Sequence, residues 1–272
     1  MSTSSLDQIN VKVNRARFHL EALSALLGAY FQSQPFSIGT RRDPRTRRLD
    51  YFVQDVKPLP TGTSAVVGDV LQNLRSALDH VAYRLVSVGA GIAPSGHVYF
   101  PIADSRTAYE RKRSNDLRGA RPQAIRAVDG LRPYKDGNLT LWQLHKLNIV
   151  DKHRALITVG SAYRSVNFVR PLMQRLRDQA ATDPNRPPGI PLPPLMDLFF
   201  NVADPQFPVS AGTVLMTDLP DAAPSSDFQF QLDIAFGEPG IINGEPIVKT
   251  LTQMIEAVGS AVGCLAPHLG GS

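Results

Sequence analysis

Residues 141–154, Leu-Trp-Gln-Leu-His-Lys-Leu-Asn-Ile-Val-Asp-Lys-His-Arg, restrict the fold more than any other segment. Their apolar side chains recur at helical spacing round the whole circumference, which predicts a helix packed on several sides. The same helix carries the polar side chains of His145, Asn148, Asp151, Lys152 and His153. His145, Asn148 and Lys152 share one stripe. Because an unpaired buried polar group costs about 1–3 kcal/mol, these side chains either pair with another polar element or line a cavity.

A second long helix, predicted for residues 64–88, carries polar residues on both flanks of its apolar face. Arg75 and Asp79 occupy one flank, where they can form a local ion pair. The opposite flank carries Asp69, Asn73, Ser76, His80 and Arg84. We predict that this longer edge faces the polar stripe of the 141–154 helix. The two helices would then enclose a polar cleft.

The remaining periodicities predict an α+β fold in a single domain spanning residues 1–272, with a helical core of long antiparallel helices, a β-hairpin and a small antiparallel sheet. The first helix presents an apolar seam that packs either on a second helix or on its copy in a homodimer. Residues 170–195 contain seven prolines, which predicts an irregular excursion or a mobile lid. The spacing predicts further helices at 6–30, 107–115, 123–128 and 247–265, hairpin strands at 36–42 and 49–56, strands within 156–169, 212–216 and 228–236, and a turn at 237–244.

Several features that the sequence lacks limit the possible cellular compartments and the possible types of reaction. No run approaches the roughly eighteen apolar residues of a membrane span, and the start Met-Ser-Thr-Ser-Ser has no basic segment followed by an apolar one. We therefore expect a cytoplasmic protein outside the membrane. Cys264 is the only cysteine, which excludes disulfides and thiolate metal clusters within one chain. No phosphate-binding loop or nucleophile elbow is present, and we predict no cofactor.

Charge is unevenly distributed behind a net excess of +5. The turn of the hairpin is crowded with arginines, whereas Lys249 is the only Lys or Arg between residues 195 and 272. Three explanations remain open. The arginines can bind RNA or another polyanion, or they can form a solvated edge that prevents aggregation. Alternatively, the basic and acidic parts can contact each other within a chain or a dimer. The arginines concerned are Arg41, Arg42, Arg45, Arg47 and Arg48.

The run Arg75-Ser76-Ala77-Leu78-Asp79-His80 resembles the R-x4-6-H signature of HEPN-type ribonucleases, small helical proteins common in bacterial defence and toxin systems. The resemblance implies RNA cleavage without metal, usually across a dimer interface, with Arg75 on the phosphate and His80 as acid or base. It covers one helix. Side chains five residues apart lie about 140° apart on a straight helix, so one chain alone does not bring Arg75 and His80 together. The hairpin and strands are departures from a compact HEPN bundle.

A second resemblance involves both polar helices. Residues 73–80, Asn-Leu-Arg-Ser-Ala-Leu-Asp-His, followed by residues 145–154, His-Lys-Leu-Asn-Ile-Val-Asp-Lys-His-Arg, are similar to a pairing found in bacterial proteins of unassigned function. This pairing is more specific than the R-x4-H match. It implies a shared fold and no activity.

Three hypotheses for the cleft follow. In the first, it cleaves RNA without metal, with His145 and Lys152 assisting Arg75 and His80. In the second, it binds a small polar ligand or anion beneath the proline-rich lid, without catalysis. In the third, it is a metal-dependent hydrolase whose ligands come from His80, His145, Asp151 and His153, with Asp79 or Asp69, although their spacing matches no familiar metal motif.

A purely structural explanation also stands, in which the polar groups of the two helices form a buried network that fixes how the helices meet. The residues predicted to bind a ligand, in the first two hypotheses, are Asn73, Arg84, Asn148, Asp151 and His153.

Overall fold

The computed structural model describes residues 5–153, 157–167, 169–184, 187, 191–192, 194–202 and 206–270. Within that part of the chain, seven α-helices and two antiparallel sheets confirm the predicted α+β fold. The helices are α1 (Ser5–Gln32), α2 (Thr63–Ala90), α3 (Arg106–Asp116), α4 (Pro122–Gly130), α5 (Leu139–His153), α6 (Val169–Thr182) and α7 (Ile247–Leu265). The strands are β1 (Phe36–Arg42), β2 (Arg48–Val56), β3 (Val159–Asn167), β4 (Phe199–Asn201), β5 (Val214–Pro220), β6 (Gln229–Glu238) and β7 (Ile242–Pro246).

Helix α2 is the centre of the helical core. It packs against α1, α5 and α7, and the apolar residues of its inner face are almost completely buried. Complete burial of one such side chain contributes about 1.5–3 kcal/mol. The polar residues of α2 are left to face the gaps between these neighbours or the solvent. The buried apolar residues of α2 include Val67, Val70, Leu71, Leu74, Leu78, Val81 and Leu85.

The seam of α1 is used within the chain. Ile9, Val13, Ala16, Leu23 and Leu27 are buried, and α1 packs on α2 and, less extensively, on α7. Of the two alternatives drawn from the sequence, packing on a second helix therefore accounts for this seam. The same apolar residues are not available to hold a homodimer together.

Two small sheets flank the helices. One sheet has the strand order β1-β2-β5 and the other β4-β3-β6-β7. The β1–β2 hairpin was predicted and is confirmed, with Arg42 opposite Leu49 at its tip. A second, smaller apolar cluster lies at the sheets, formed by Val53, Tyr163, Val166, Val209 and Leu215.

The prediction for one irregular segment is wrong, and the predicted length of another is too great. The first half of the proline-rich stretch is helical, because Pro171 is the only proline within α6 and lies in its first turn, where the missing N–H would have no helical partner. The predicted turn at 237–244 is shorter than expected. Gly240 and Gly244 adopt positive φ values of 82° and 75°, and strand β7 begins between them at Ile242.

Among the residues that the structure describes, no helix combines the length and the apolar character needed to cross a lipid bilayer.

Candidate functional site

Helix α5 packs against α2 on the opposite flank from the one predicted. A Cβ added at Gly68 would lie 2.5 Å from Oδ1 of Asp151, so the carboxylate lies directly on the backbone of α2. One end of α5 is fixed by this contact, and the positive charge of Arg75 acts on His145 farther along. The two contacts run in opposite directions along the helices, which are therefore antiparallel. The predicted pairing of α5 with the Asn73, His80 and Arg84 edge is wrong.

The facing flank of α2 is organised by a buried ion pair. Arg75 is 4% exposed; its Nη2 donates to Oδ1 of Asp79 at 2.6 Å and to the carbonyl oxygen of Phe100 at 2.8 Å. Oδ1 of Asp79 also accepts from the backbone N–H of Phe100 at 2.8 Å. The pair therefore clamps both backbone groups of Phe100, whose ring is fully buried. Its geometry is that of a structural clamp for the segment after α2.

His145 of α5 lies near Arg75, against this flank of α2, rather than in an open cleft. Burial, followed by the positive charges of Arg75, Lys112 and Lys146, lowers the pKa of His145 from 6.5 to about 3, although Asp104 opposes the shift. The imidazole is therefore neutral at physiological pH. A neutral buried ring can accept or donate a hydrogen bond, but it does not carry the charge expected of a group that binds phosphate.

Four buried polar atoms on the facing surfaces of α2 and α5 have no hydrogen-bond partner among the described residues. Arg75 Nη1 is a donor, whereas the oxygens Gln72 Oε1 and Asn148 Oδ1 are acceptors. Nδ1 of His145 is the fourth atom. Each such group costs about 1–3 kcal/mol when unpaired. These groups resemble the buried polar network of the structural hypothesis, with fewer hydrogen bonds than such a network can make.

The remaining predicted residues of α5 lie near its C-terminal end. Burial and then the charge of Asp69 raise the pKa of Asp151, whereas Lys152 lowers it. Lys152 is exposed. The side chain of His153 and all of Arg154 lie outside the described residues. Asn73 donates from Nδ2 to the carbonyl oxygen of Asp69 at 2.8 Å and so bonds along its own helix.

Sequence reasoning missed a second polar contact that anchors α5. Trp142 donates from Nε1 to Oδ1 of Asp104 at 2.7 Å, and Nζ of Lys146 lies 2.8 Å from the same oxygen. These hydrogen bonds lower the pKa of Asp104. Residue 104 follows the extended segment that Arg75 and Asp79 hold, and so both ends of that segment are tied to the helical core. The tryptophan N–H, which needs a partner when buried, was a usable signal.

The other flank of α2 opens into a groove of about 510 Å³. Helix α2 supplies its floor, α1 contributes one wall through its first turns, and residues 96–98 form the other wall. We call this the histidine groove. Its lining residues are Ser5, Gln8, Ile9, Asp79, His80, Tyr83, Arg84, Gly96, His97 and Val98.

Three basic side chains line the histidine groove. His80 is exposed, and Arg84 is held in place because its Nε donates to the carbonyl oxygen of Leu269 at 2.9 Å. His97 stacks on Tyr99, with ring centroids 6.1 Å apart. Of the predicted site residues, the structure thus brings together His80 and Arg84 and adds His97. His97 was not singled out from the sequence, because it lies in an irregular segment without periodicity.

The carboxylate of Asp79, which lines the groove, is already paired with Arg75. Asp79 is the single Asp or Glu among the lining residues. Both of its oxygens accept from Arg75, so its charge is compensated from behind the groove. The open surface therefore presents imidazole, guanidinium and tyrosine hydroxyl groups, which favours an anionic ligand.

The arginines of the hairpin mostly contact other parts of the same chain. Arg41 pairs with Asp50 at 3.4 Å and Arg47 with Asp221 at 2.8 Å. Arg42 donates to the backbone carbonyls of Arg47 and Ala222. Arg48 donates to the carbonyl of Asp218. These contacts favour the explanation in which the basic and acidic parts of the chain meet. The side chain of Arg45, at the tip, makes no such contact among the described residues.

The metal hypothesis has no geometric support in the described part of the chain. Among those residues, no three His, Cys, Asp or Glu side chains lie close enough together to hold one metal ion. His80 lines the open groove, whereas His145 of α5 lies near Arg75 on the other flank of α2. The predicted ligands that the structure describes therefore do not form a three-residue metal site.

Comparisons with protein-family models, with curated proteins and with solved structures find no match.

Proposed function

We propose that this protein binds RNA in the histidine groove and cleaves it without a metal ion. The observation that carries the proposal is the presence of two imidazoles and a guanidinium, His80, His97 and Arg84, on one open surface without a free carboxylate. Metal-independent cleavage needs a base, an acid and a positive charge near one phosphate. The groove supplies one group for each role.

The reaction proceeds by attack of the ribose 2'-hydroxyl on the adjacent phosphorus. One imidazole removes the hydroxyl proton as the new O–P bond forms. The other imidazole protonates the 5'-oxygen as its bond to phosphorus breaks. The products are a 2',3'-cyclic phosphate and a 5'-hydroxyl. Arg84 neutralises the charge that develops on the phosphate oxygens, and the hydrogen bond to Leu269 keeps it positioned for that task.

The proposal differs from the HEPN expectation in the arginine that contacts phosphate. The contacts of Arg75 with Asp79 and Phe100 occupy two of its nitrogens and leave it 4% exposed. Arg84 lies one turn beyond His80 on the exposed flank. We therefore assign the phosphate to Arg84 and a structural role to Arg75.

The test is cleavage of a fluorescent single-stranded RNA in the presence of EDTA, with detection of the cyclic phosphate end. A matching strand with 2'-deoxyribose at every position must remain intact. We expect His80→Ala and His97→Ala each to lower the rate at least about a hundredfold, the usual contribution of a general acid or base. His19→Ala, on α1 outside the groove, is the matched control and should cleave normally. Unchanged cleavage in His80→Ala would overturn the proposal.

A second candidate function is binding of an anion in the same groove without catalysis. It is favoured by the burial of Arg75, because the arginine of the R-x4-H motif is then not beside His80 within one chain. Binding without cleavage is recognised when the fluorescent RNA binds the wild type, is weakened by Arg84→Ala, and remains intact after prolonged incubation.

A further inference from the structure

A second, smaller pocket lies between α3, α4 and the turn that follows α4. Its volume is about 270 Å³, slightly below the roughly 300–1,000 Å³ of most small-molecule sites. We call it the tyrosine–arginine pocket. It shares no residue with the histidine groove. Its lining residues are Arg106, Tyr109, Glu110, Arg113, Asp129, Arg132 and Tyr134.

The base of the pocket is a saturated hydrogen-bond cluster. Tyr109 donates from its hydroxyl to Oδ1 of Asp129 at 2.6 Å, and Arg113 donates from Nη1 to Oδ2 at 2.7 Å. Both oxygens of Asp129 are therefore engaged. The ring of Tyr109 is 3% exposed and contacts that of Tyr134, with centroids 5.8 Å apart. The pocket thus has a rigid aromatic base whose carboxylate is already neutralised.

Arg132 is fixed in place at the rim, and no carboxylate of the described residues pairs with it. Its Nε donates to the hydroxyl of Tyr134 at 3.2 Å, and its guanidinium carbon lies 5.9 Å from the centre of the same ring. Its backbone N–H donates to the carbonyl of Asp129 at 3.0 Å. The residue adopts a φ of 51°, uncommon outside glycine. These contacts hold the guanidinium but leave its two terminal nitrogens free to donate.

Charge balance defines the ligand. The pocket has three guanidinium groups and two carboxylates, of which Glu110 pairs with Arg106 at 3.0 Å. One positive charge is left uncompensated. A singly charged ligand neutralises it, whereas a dianion leaves an excess negative charge. A planar guanidinium binds a carboxylate through two parallel hydrogen bonds, and the tyrosine rings provide an apolar surface beside it.

We propose that the tyrosine–arginine pocket binds a small organic acid through a single carboxylate held by Arg132, with its apolar part against Tyr134 and Tyr109. The site is separate from the histidine groove, so this proposal can be tested independently of RNA cleavage.

The experiment titrates the full chain with sodium acetate, sodium benzoate and inorganic phosphate at constant ionic strength. Backbone amide NMR shifts are followed at residues 109, 132 and 134. We expect saturable shifts with both carboxylates, and tighter binding of benzoate because its ring has an aromatic surface to contact. Arg132→Gln should weaken benzoate binding at least tenfold. Arg111→Gln removes an exposed arginine of α3 outside the pocket and should leave binding unchanged.

Three results would overturn the proposal: no saturable shift with either carboxylate, equal affinity in Arg132→Gln and wild type, or tighter binding of phosphate than of both carboxylates. Should Arg132→Gln fail to fold, Arg106→Gln replaces it, since the Arg106 side chain is 77% exposed. The replacement should weaken benzoate binding as well, and unchanged affinity would count against the proposal.

Discussion

The two flanks of α2 carry similar residues in opposite circumstances. One flank holds Arg75 in a buried ion pair and faces α5, where Asp151 lies against Gly68. The other flank holds His80 and Arg84 at an open groove. A polar residue on a long helix thus enters a buried network or lines an open groove according to which neighbour covers it. Polarity on an apolar helix does not by itself identify a reactive site.

The largest expected difference in stability between the two flanks is at the adjacent residues Asp79 and His80. Asp79→Ala leaves the buried guanidinium of Arg75 without its carboxylate, a change that costs about 3–5 kcal/mol for buried pairs. His80→Ala removes an exposed ring and should change stability by less than about 1 kcal/mol. Urea unfolding of the two variants measures the difference. Equal losses in both would contradict the assignment of a structural role to the first flank.

The second largest effect is the loss of folding stability at acidic pH, which we expect to depend on His145 and not on His80. The pKa of His145 is lowered to about 3 from 6.5, so the unfolded chain binds a proton in this range that the folded chain does not. Stability supplied by the neutral ring is complete above pH 6.5 and falls by at most about 1.4 kcal/mol per pH unit towards pH 3. Arg75, Lys112, Lys146 and Asp104 are the charged groups that act on it.

The corresponding measurement compares unfolding free energies from pH 7 to pH 4 in wild type, His145→Gln and His80→Gln. We expect His145→Gln to reduce the loss of stability on acidification and His80→Gln to retain the wild-type loss. Parallel curves for all three proteins would show that His145 is not held neutral by its surroundings.

Two glycines test how tightly α5 lies on α2. A Cβ at Gly68 would meet the carboxylate of Asp151, whereas a Cβ at Gly28 on α1 would have nothing within 4 Å. Gly68→Ala should therefore destabilise the protein by about 1–3 kcal/mol through overpacking. Gly28→Ala should stabilise it by about 0.5–1 kcal/mol, because alanine favours the helix. Thermal unfolding measures the sign of the change in stability for each variant. Stabilisation by Gly68→Ala would contradict the close approach of Asp151 to Gly68.

The smallest effect is expected at the hairpin, where the charges are exposed. The side chains of Arg47 and Asp221 are 69% and 54% exposed. A double-mutant cycle with Arg47→Ala and Asp221→Ala should give a coupling below about 1 kcal/mol that weakens with added salt. A coupling as large as that of a buried pair would show that this contact also has a structural role.

Sequence patterns predicted the helices and strands of this fold better than they predicted which sides of the helices contact each other. Spacing alone placed α1, α2, α5, α7 and the hairpin, because burial on one side imposes a helical or alternating period. The rotation of α2 about its axis was not readable, since apolar residues cover most of it and several neighbours compete for each side. Gly68 was the unused signal, because a residue without a side chain leaves room for a group of a neighbouring helix, here the carboxylate of Asp151.

The lining of the histidine groove was anticipated in part for the same reason. His80 and Arg84, which line it, were singled out as candidates because they lie on a periodic helix. His97 was missed because the chain around it is irregular. Residues 170–195 were misassigned because the prolines were counted together, whereas only Pro171 lies within α6.

The most direct measurement follows the histidine ring resonances of the full chain during titration with a single-stranded oligonucleotide. The oligonucleotide carries 2'-deoxyribose, which the proposed reaction cannot cleave. His80 and His97 should shift in a saturable manner and together, whereas His145 should remain unchanged. Saturable shifts confined to His145, or no shift of His80 at saturation, would contradict the division of α2 into a structural and a ligand-binding flank.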